Sequence, residues 1–235
     1  ACGLQCPGPI LKMKKTMDGL ASGERVEITA TDPGFPRDAA AWCSSTGNQL
    51  ISKEASGGKS VVIIEKGEPK ACNIVTSCEG KGKTFIMFSD DLDKALATFV
   101  LANGAAATGQ KVTIFFTFWG LNVIKKLHKP ETEKDIFGKM FGMMLPSSSK
   151  KLKLSKMSMG GIGGKMMRYI MNKKGIDSLE SLRQQALENG VEFIACQMSM
   201  DVMGVKQEEL LDEVTIGGVA TYMERADNAN VNLFI

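Results

Sequence analysis

Val112-Thr113-Ile114-Phe115-Phe116-Thr117-Phe118 is an unbroken β-branched and aromatic run. A strand with one wet face alternates apolar and polar residues, so a run without alternation predicts a strand buried on both faces, as in a parallel sheet covered by helices. The segments around it agree. Phe85–Phe88 reads as a short apolar strand, and Leu92–Thr108, rich in Ala and Leu, as a helix. Downstream, Ser178–Glu188 is an amphipathic helix stopped by Gly190, and Val191–Cys196 is a second buried strand. Gln207–Glu213 and Ile216–Arg225 read as helices, and Val231–Ile235 as a closing strand. Strands alternating with helices require βαβ crossovers and predict a mostly parallel α/β sheet. Ligands of such sheets gather at the carboxyl ends of the strands. Three places fall there: Ser89-Asp90-Asp91, Trp119-Gly120 and Cys196-Gln197-Met198.

A smaller unit precedes this one. Pro7–Leu20 carries Ile10, Leu11, Met13, Met17 and Leu20 at helical spacing, with Lys12, Lys14 and Lys15 on the other face. Arg25–Ala30 alternates as a strand, Asp32-Pro33-Gly34 is turn chemistry, and Pro36–Ser45 is a second helix. Asn48–Glu54 and Ser60–Glu65 are β-rich runs joined by Ser56-Gly57-Gly58, a hairpin signal. The order helix, strand, helix, strand, strand predicts a two-layer α/β sandwich over residues 1–67. Residues 68–83 lack periodicity and read as a linker to a second domain at 84–235. A strand upstream of Ala1 would complete the first sheet.

The chain has 235 residues with 43% hydrophobic and 23% charged, proportions that exclude a disordered or collagenous chain. No apolar stretch approaches the length of a spanning helix. Six cysteines in so long a chain are too sparse for a disulfide framework, and none of the residues from Ala1 onward reads as a secretory signal. Free thiols in a reducing, cytoplasmic compartment are expected.

The net charge of +3 hides one basic block: residues 121–175 hold 13 Lys/Arg against 3 acids and eight of the 15 Met. This insertion is expected to form two or three helices and a mobile loop. Three readings apply to it: a solvated helical insertion packing on the domain or a sister subunit, attraction of small anionic sulfur compounds, coenzyme A or an acidic partner, or peripheral docking on a membrane through Phe137–Leu145 and Lys150–Lys156. The first is favoured and membrane contact is not. No nucleic-acid motif is present, and no nucleic acid is expected as a partner. Met159-Gly-Gly-Ile-Gly-Gly-Lys165 lacks the Ser/Thr and the preceding strand of a phosphate loop and reads as a hinge. His128, the one histidine, sits in a basic run and reads as solvated, which argues against Cys-His or Ser-His hydrolysis.

The sharpest chemical signal is Gly3-Leu4-Gln5-Cys6-Pro7-Gly8-Pro9. It sets a thiol just before a helix whose first position is Pro7, a residue tolerated there because its missing N–H would be unpaired anyway. The positive helix end favours thiolate, which attacks sulfur electrophiles and can hold a persulfide. The competing reading is a packed small hydrophobe. Cys196 ends a buried strand and precedes Met198, Met200 and Met203, a soft wall suited to sulfur, with core packing as the competing reading. Cys2 is either a resolving thiol for Cys6 or incidental, and Cys43 reads as core. Cys72 and Cys78 in the linker are either extra relay thiols or exposed bystanders, and are too isolated for a zinc site.

Cys6-Pro7-Gly8-Pro9, with Gly3-Leu4 before it and Asp32-Pro33 after the next strand, resembles the TusA family of small sulfur carriers over about residues 1–67. The resemblance implies that Cys6 carries sulfane sulfur as a persulfide and passes it to a partner thiol. The family's first strand lies upstream of this motif, so the sequence is expected to be a trimmed record or the tail of a longer chain. Phe116-Thr-Phe-Trp-Gly-Leu121, Lys153-Leu-Ser-Lys-Met157, Cys196-Gln-Met-Ser-Met200 and Gly217-Gly-Val-Ala-Thr-Tyr222 resemble the DsrE/DsrF-like family from about Lys83 onward. That resemblance implies a flavodoxin-like fold, a homo-oligomer, and a sulfur-handling cysteine at Cys196.

Together they predict intracellular sulfur transfer between donor and acceptor proteins. A flexible linker of this length spans roughly 20–25 Å, which would keep the two thiols at high local concentration. The alternatives are a redox segment of a larger flavin-dependent coenzyme A-disulfide or polysulfide reductase, and a non-catalytic oligomerisation module. No metal or cofactor is expected within these residues; FAD and NAD would belong to a larger parent.

Overall fold

The computed structural model describes residues 1–4, 8–32, 34–68, 82–128, 130, 140, 142, 144–157 and 159–235. The first unit is a two-layer sandwich. Strands β1 (Arg25–Ala30), β2 (Gln49–Ser56) and β3 (Lys59–Glu65) form an antiparallel sheet in the order β1-β3-β2. Helices α1 (Gly8–Asp18) and α2 (Phe35–Thr46) belong to the same hydrophobic core. Alternate residues Ile28 and Ala30 of β1 and Val62 and Ile64 of β3 are buried there with Ile10, Met13 and Met17 of α1 and Phe35, Ala39 and Trp42 of α2. The period of two on the strands and of three to four on the helices puts every one of these side chains on its inner face. Ala107 of the second unit joins this core, and its carbonyl accepts the Trp42 indole N–H.

In the second unit, β4 (Gly82–Met87), β5 (Val112–Phe116), β6 (Glu192–Cys196), β7 (Thr215–Gly217) and β8 (Ala229–Phe234) form one parallel sheet in the order β7-β6-β5-β4-β8. The fold is the α/β, mostly parallel arrangement that the run at Val112 predicts, and all five residues of β5 are buried. Helices α3 (Leu92–Ala107) and α5 (Leu179–Glu188) share a core with one face of the sheet; α4 (Ile162–Lys173) lies in the insertion between them. Phe99 of α3 is fully buried, its ring 6.4 Å from that of Phe116 and 5.7 Å from that of Phe193. Burial of such a side chain contributes about 1.5–3 kcal/mol. The Ser178 side chain caps α5 by accepting the Ser181 amide at 3.1 Å. The other sheet face packs Phe115, Ile194 and Cys196 against Tyr222 and Ala226 of α7 (Val219–Asp227).

Four details differ from the sequence reading. Ile216 belongs to β7, and the helix begins only at Val219, because Gly217-Gly218 interrupts it and β6 takes a strand partner there. Gln207–Glu213 forms only a single 3-10 turn at Gln207–Glu209; Leu210 is instead buried and bridges to Lys125. The glycine tract is divided: Met159–Gly161 forms a 3-10 turn with Gly160 and Gly161 at positive φ, and Ile162, Gly163 and Gly164 form the first turn of α4. The unanticipated helix α6 (Gln197–Met203) follows Cys196 directly.

Candidate functional site

The carboxyl edge of the parallel sheet is built by the segments that leave β4 and β5 and by α6. After β4, Ser89 and Asp91 fold onto each other: the Ser89 hydroxyl donates to Asp91 at 2.7 Å, and the Lys94 ammonium sits 2.8 Å from the same carboxylate oxygen. Asp90 accepts the amide of fully buried Asn122 at 2.9 Å. Burial pushes the Asp90 carboxyl up from the ordinary range; the Asn122 amide opposes this and the neighbouring charge of Asp91 adds to it. The Asn122 carbonyl oxygen is buried without a hydrogen-bond partner among the described residues.

After β5 the chain turns sharply. Phe118 takes a positive φ of 47°, a conformation costly for a bulky side chain and held only where packing enforces it. The enforcement is visible at Gly120, whose amide donates to the Phe88 carbonyl at 2.9 Å. A Cβ there would lie 1.9 Å from the Met87 carbonyl oxygen. The turn therefore presses directly on the end of β4. It presents Trp119, 45% exposed, stacked on Phe118 at 5.8 Å and tilted against Phe88 at 5.3 Å.

These elements frame a cleft of about 610 Å³, lined by Asp90, Asp91, Phe118 and Trp119 on one side. Leu145, Lys153 and Leu154 from the insertion and Val202 and Met203 from α6 also line it. The lining is mostly apolar with a few polar groups, the character of small-molecule sites. Two of the three places expected at this edge, Ser89–Asp91 and Trp119–Gly120, contribute to it. The third does not: the described residues that line the cleft include no cysteine.

Cys196 ends β6 and is free and buried, 6% exposed. It shares the face of Ile194, so its side chain packs with Phe115 and Tyr222 under α7. The parity of β6 sends Phe193 and Ala195 to the core that holds α3 and α5, and Cys196 to the α7 side. Tyr222 is held by a 3.2 Å hydrogen bond between its hydroxyl and that of Thr84.

Gln5, Cys6 and Pro7 lie outside the described residues, as do Cys72 and Cys78. The residues flanking Cys6 are described. Ala1 donates its amino group to the Thr29 carbonyl at 2.7 Å, and the Gly3 amide donates to the Thr31 hydroxyl at 2.8 Å. Both anchors belong to the end of β1 and the turn after it, and α1 begins at Gly8. Cys2 is free and exposed. Cys43 is buried, and desolvation pushes its thiol up to about 11.

Sequence reasoning missed Asn122 and did not place Lys153 or Val202–Met203 at this cleft, although Met203 stands among the methionines noted after Cys196 and Lys153 in the family motif. A buried Asn within the apolar turn Gly120-Leu-Asn-Val-Ile124 was a usable signal; the other two reach the cleft only through tertiary folding. Among the described residues no cluster of metal-ligating side chains exists, and no helix is long and apolar enough to cross a membrane.

Comparison with known proteins matches residues 80–234 to the DsrE/DsrF/DrsH-like family and residues 1–66 to the family described as sulfurtransferase TusA. The uncharacterized protein YrkE of Bacillus subtilis is 44% identical over 155 residues, 66% of this chain and 97% of that protein. The sulfur carrier protein DsrE2 of Allochromatium vinosum is 37% identical over 161 residues, 67% of this chain and 99% of its own length. The sulfur carrier protein TusA of the same organism is 44% identical over 66 residues, 28% of this chain and 87% of its own.

Proposed function

The chain belongs to the DsrE/DsrF/DrsH-like family and carries a TusA domain ahead of it, and from this we propose that it transfers sulfane sulfur between proteins. The observation that carries the reading is the joining, in one polypeptide, of two units whose relatives in one organism are both named sulfur carriers.

Cys6 is the carrier thiol. Its thiolate attacks the outer sulfur of a donor persulfide, R–S–SH. The new S–S bond forms on Cys6 as the donor's S–S bond breaks, and the donor leaves as its thiolate, R–S⁻. The sulfane sulfur changes hands with no net oxidation or reduction, so neither a metal nor a redox cofactor is required of these residues. Delivery repeats the exchange, with the acceptor thiolate attacking the outer sulfur on Cys6. The position of Cys6 in the sequence, two residues before α1 begins at Gly8, supports the reading, since the N-terminal end of a helix stabilises an anion.

Cys196 is the partner thiol of the second unit. Its burial under Tyr222 makes exchange with it conditional on α7 opening, so Cys6 meets external donors and acceptors directly and Cys196 exchanges sulfur with Cys6 as a protected reserve that keeps it loaded. The partners are thiol-bearing donor and acceptor proteins.

The test follows sulfur from a persulfidated donor through the full chain to an acceptor thiol. Cys6→Ser should abolish delivery, and Cys196→Ser should slow it without preventing loading of the chain. Delivery that survives Cys6→Ser overturns the assignment.

A further inference from the structure

Helix α4 has two apolar faces, and among the described residues only one of them is covered. Gly163, Gly164 and Met171 are buried. A Cβ on Gly163 would fall 2.1 Å from the Met157 carbonyl oxygen, so the helix lies directly on the preceding segment. Leu154 of that segment lines the cleft. On the outer face, Ile162, Met166, Tyr169 and Ile170 are 65%, 45%, 68% and 38% exposed. Their spacing of i, i+4, i+7 and i+8 makes one continuous stripe. Met157 and Met159, 68% and 66% exposed, extend it at the N-terminal end.

The segment that carries this stripe has charge of one sign. From Lys150 to Lys174 the sequence holds eight Lys/Arg and no Asp or Glu. Lys150, Lys151, Lys153, Lys156, Lys165, Lys173 and Lys174 are exposed, whereas Arg168 turns inward to Glu180 and the Ser149 carbonyl.

We propose that α4 docks this protein on the surface of an anionic lipid bilayer, with the Ile162–Ile170 stripe among the acyl chains and the surrounding lysines at the headgroups. An apolar face on a segment that carries cations and no acids of its own is the pattern of in-plane interfacial helices. Exposed lysines can extend their ammonium groups to the phosphates while their stems cover apolar surface. Twelve residues make a helix of about 18 Å, too short to span a bilayer and suited to lying along it. A second copy is the poorer occupant, because a two-fold contact through this stripe would bring the two lysine blocks face to face. The proposal goes beyond sulfur transfer and does not rest on it.

Flotation of the full chain with vesicles tests it, using phosphatidylcholine alone or mixed with phosphatidylglycerol, at low and at high salt. Binding should require the anionic lipid and fall at high salt. Met166→Ser with Ile170→Ser should weaken binding about tenfold or more. Lys165→Glu with Lys173→Glu, which leaves the apolar stripe intact, should also weaken it strongly, with circular dichroism unchanged. Leu101→Ser, at an exposed apolar site on α3, should bind as wild type. Failure to bind anionic vesicles, or binding indifferent to both double variants, overturns the proposal. So does light scattering in which the serine variant splits an oligomer while vesicle binding stays intact.

Discussion

The side-chain amide of Asn122 donates to Asp90 across 2.9 Å beside the cleft at the carboxyl edge of the sheet. It holds in place a carboxyl whose proton affinity burial has raised. Because the folded state binds this proton more tightly than the unfolded chain, the group favours folding most below its ordinary value of 3.8. That contribution is lost as pH rises through the raised value. Asp90→Asn removes the titration while keeping an acceptor for Asn122. Denaturant unfolding across acid to neutral pH should show the variant gaining on wild type as pH rises. A variant that loses ground toward neutrality contradicts this account.

Gly120 cannot accept a side chain without moving β4, given the 1.9 Å approach of a Cβ to the Met87 carbonyl oxygen. Gly120→Ala should therefore cost about 3 kcal/mol or more in denaturant unfolding. Any folded fraction should show altered Trp119 fluorescence, since the turn that carries the indole must shift. Wild-type stability in this variant would show that the turn is looser than described.

Cys43 and Cys2 should differ sharply as nucleophiles. Cys2 is exposed, whereas Cys43 is buried with its thiol pushed up from 9.0 to about 11 by desolvation. Timed alkylation with mass analysis of the native chain should modify Cys2 long before Cys43. The raised value also means that Cys43 supports folding below about pH 9 and that this support is lost as pH climbs toward about 11. Cys43→Ala should flatten that part of the stability profile. Early alkylation of Cys43 would contradict its burial.

Cys196 should be slow for a similar reason, lying under Tyr222 and beside Phe115. Tyr222→Ala removes the ring and its hydrogen bond to Thr84. The variant should raise the alkylation rate of Cys196 about tenfold or more by easing local opening of α7. Tyr222→Phe, which keeps the ring, should change it little. Equal rates in all three proteins would mean that the thiol is reached by another route.

Much of this architecture was legible along the chain, and the exceptions have physical causes. The Val112 run announced a covered strand because both faces needed apolar residues, and Ser178 and Gly190 bracketed α5 by their backbone preferences. Helix α6 escaped notice because Gln197–Met203 places exposed Met198 and Val202 among buried Met200 and Met203, which blurs its period. Strand β7 has three residues, too few to show alternation. The face taken by Cys196 follows from its parity with Ile194, but which face lay under α7 depended on the crossover. The cleft was legible only at Ser89–Asp91 and Trp119–Gly120. Its other wall comes from Lys153, Leu154 and Met203, whose approach is set by how the insertion folds back.

The central claim is that Cys6 holds the transferred sulfur, and mass analysis of the full chain after exposure to a persulfide donor addresses it most directly. Peptide mapping with persulfide-specific capping should place one added sulfur on the peptide containing Cys6, and the addition should vanish in Cys6→Ser and on treatment with a thiol reductant. Added sulfur confined to Cys196 or Cys2, with Cys6 unmodified in the wild-type chain, would contradict it.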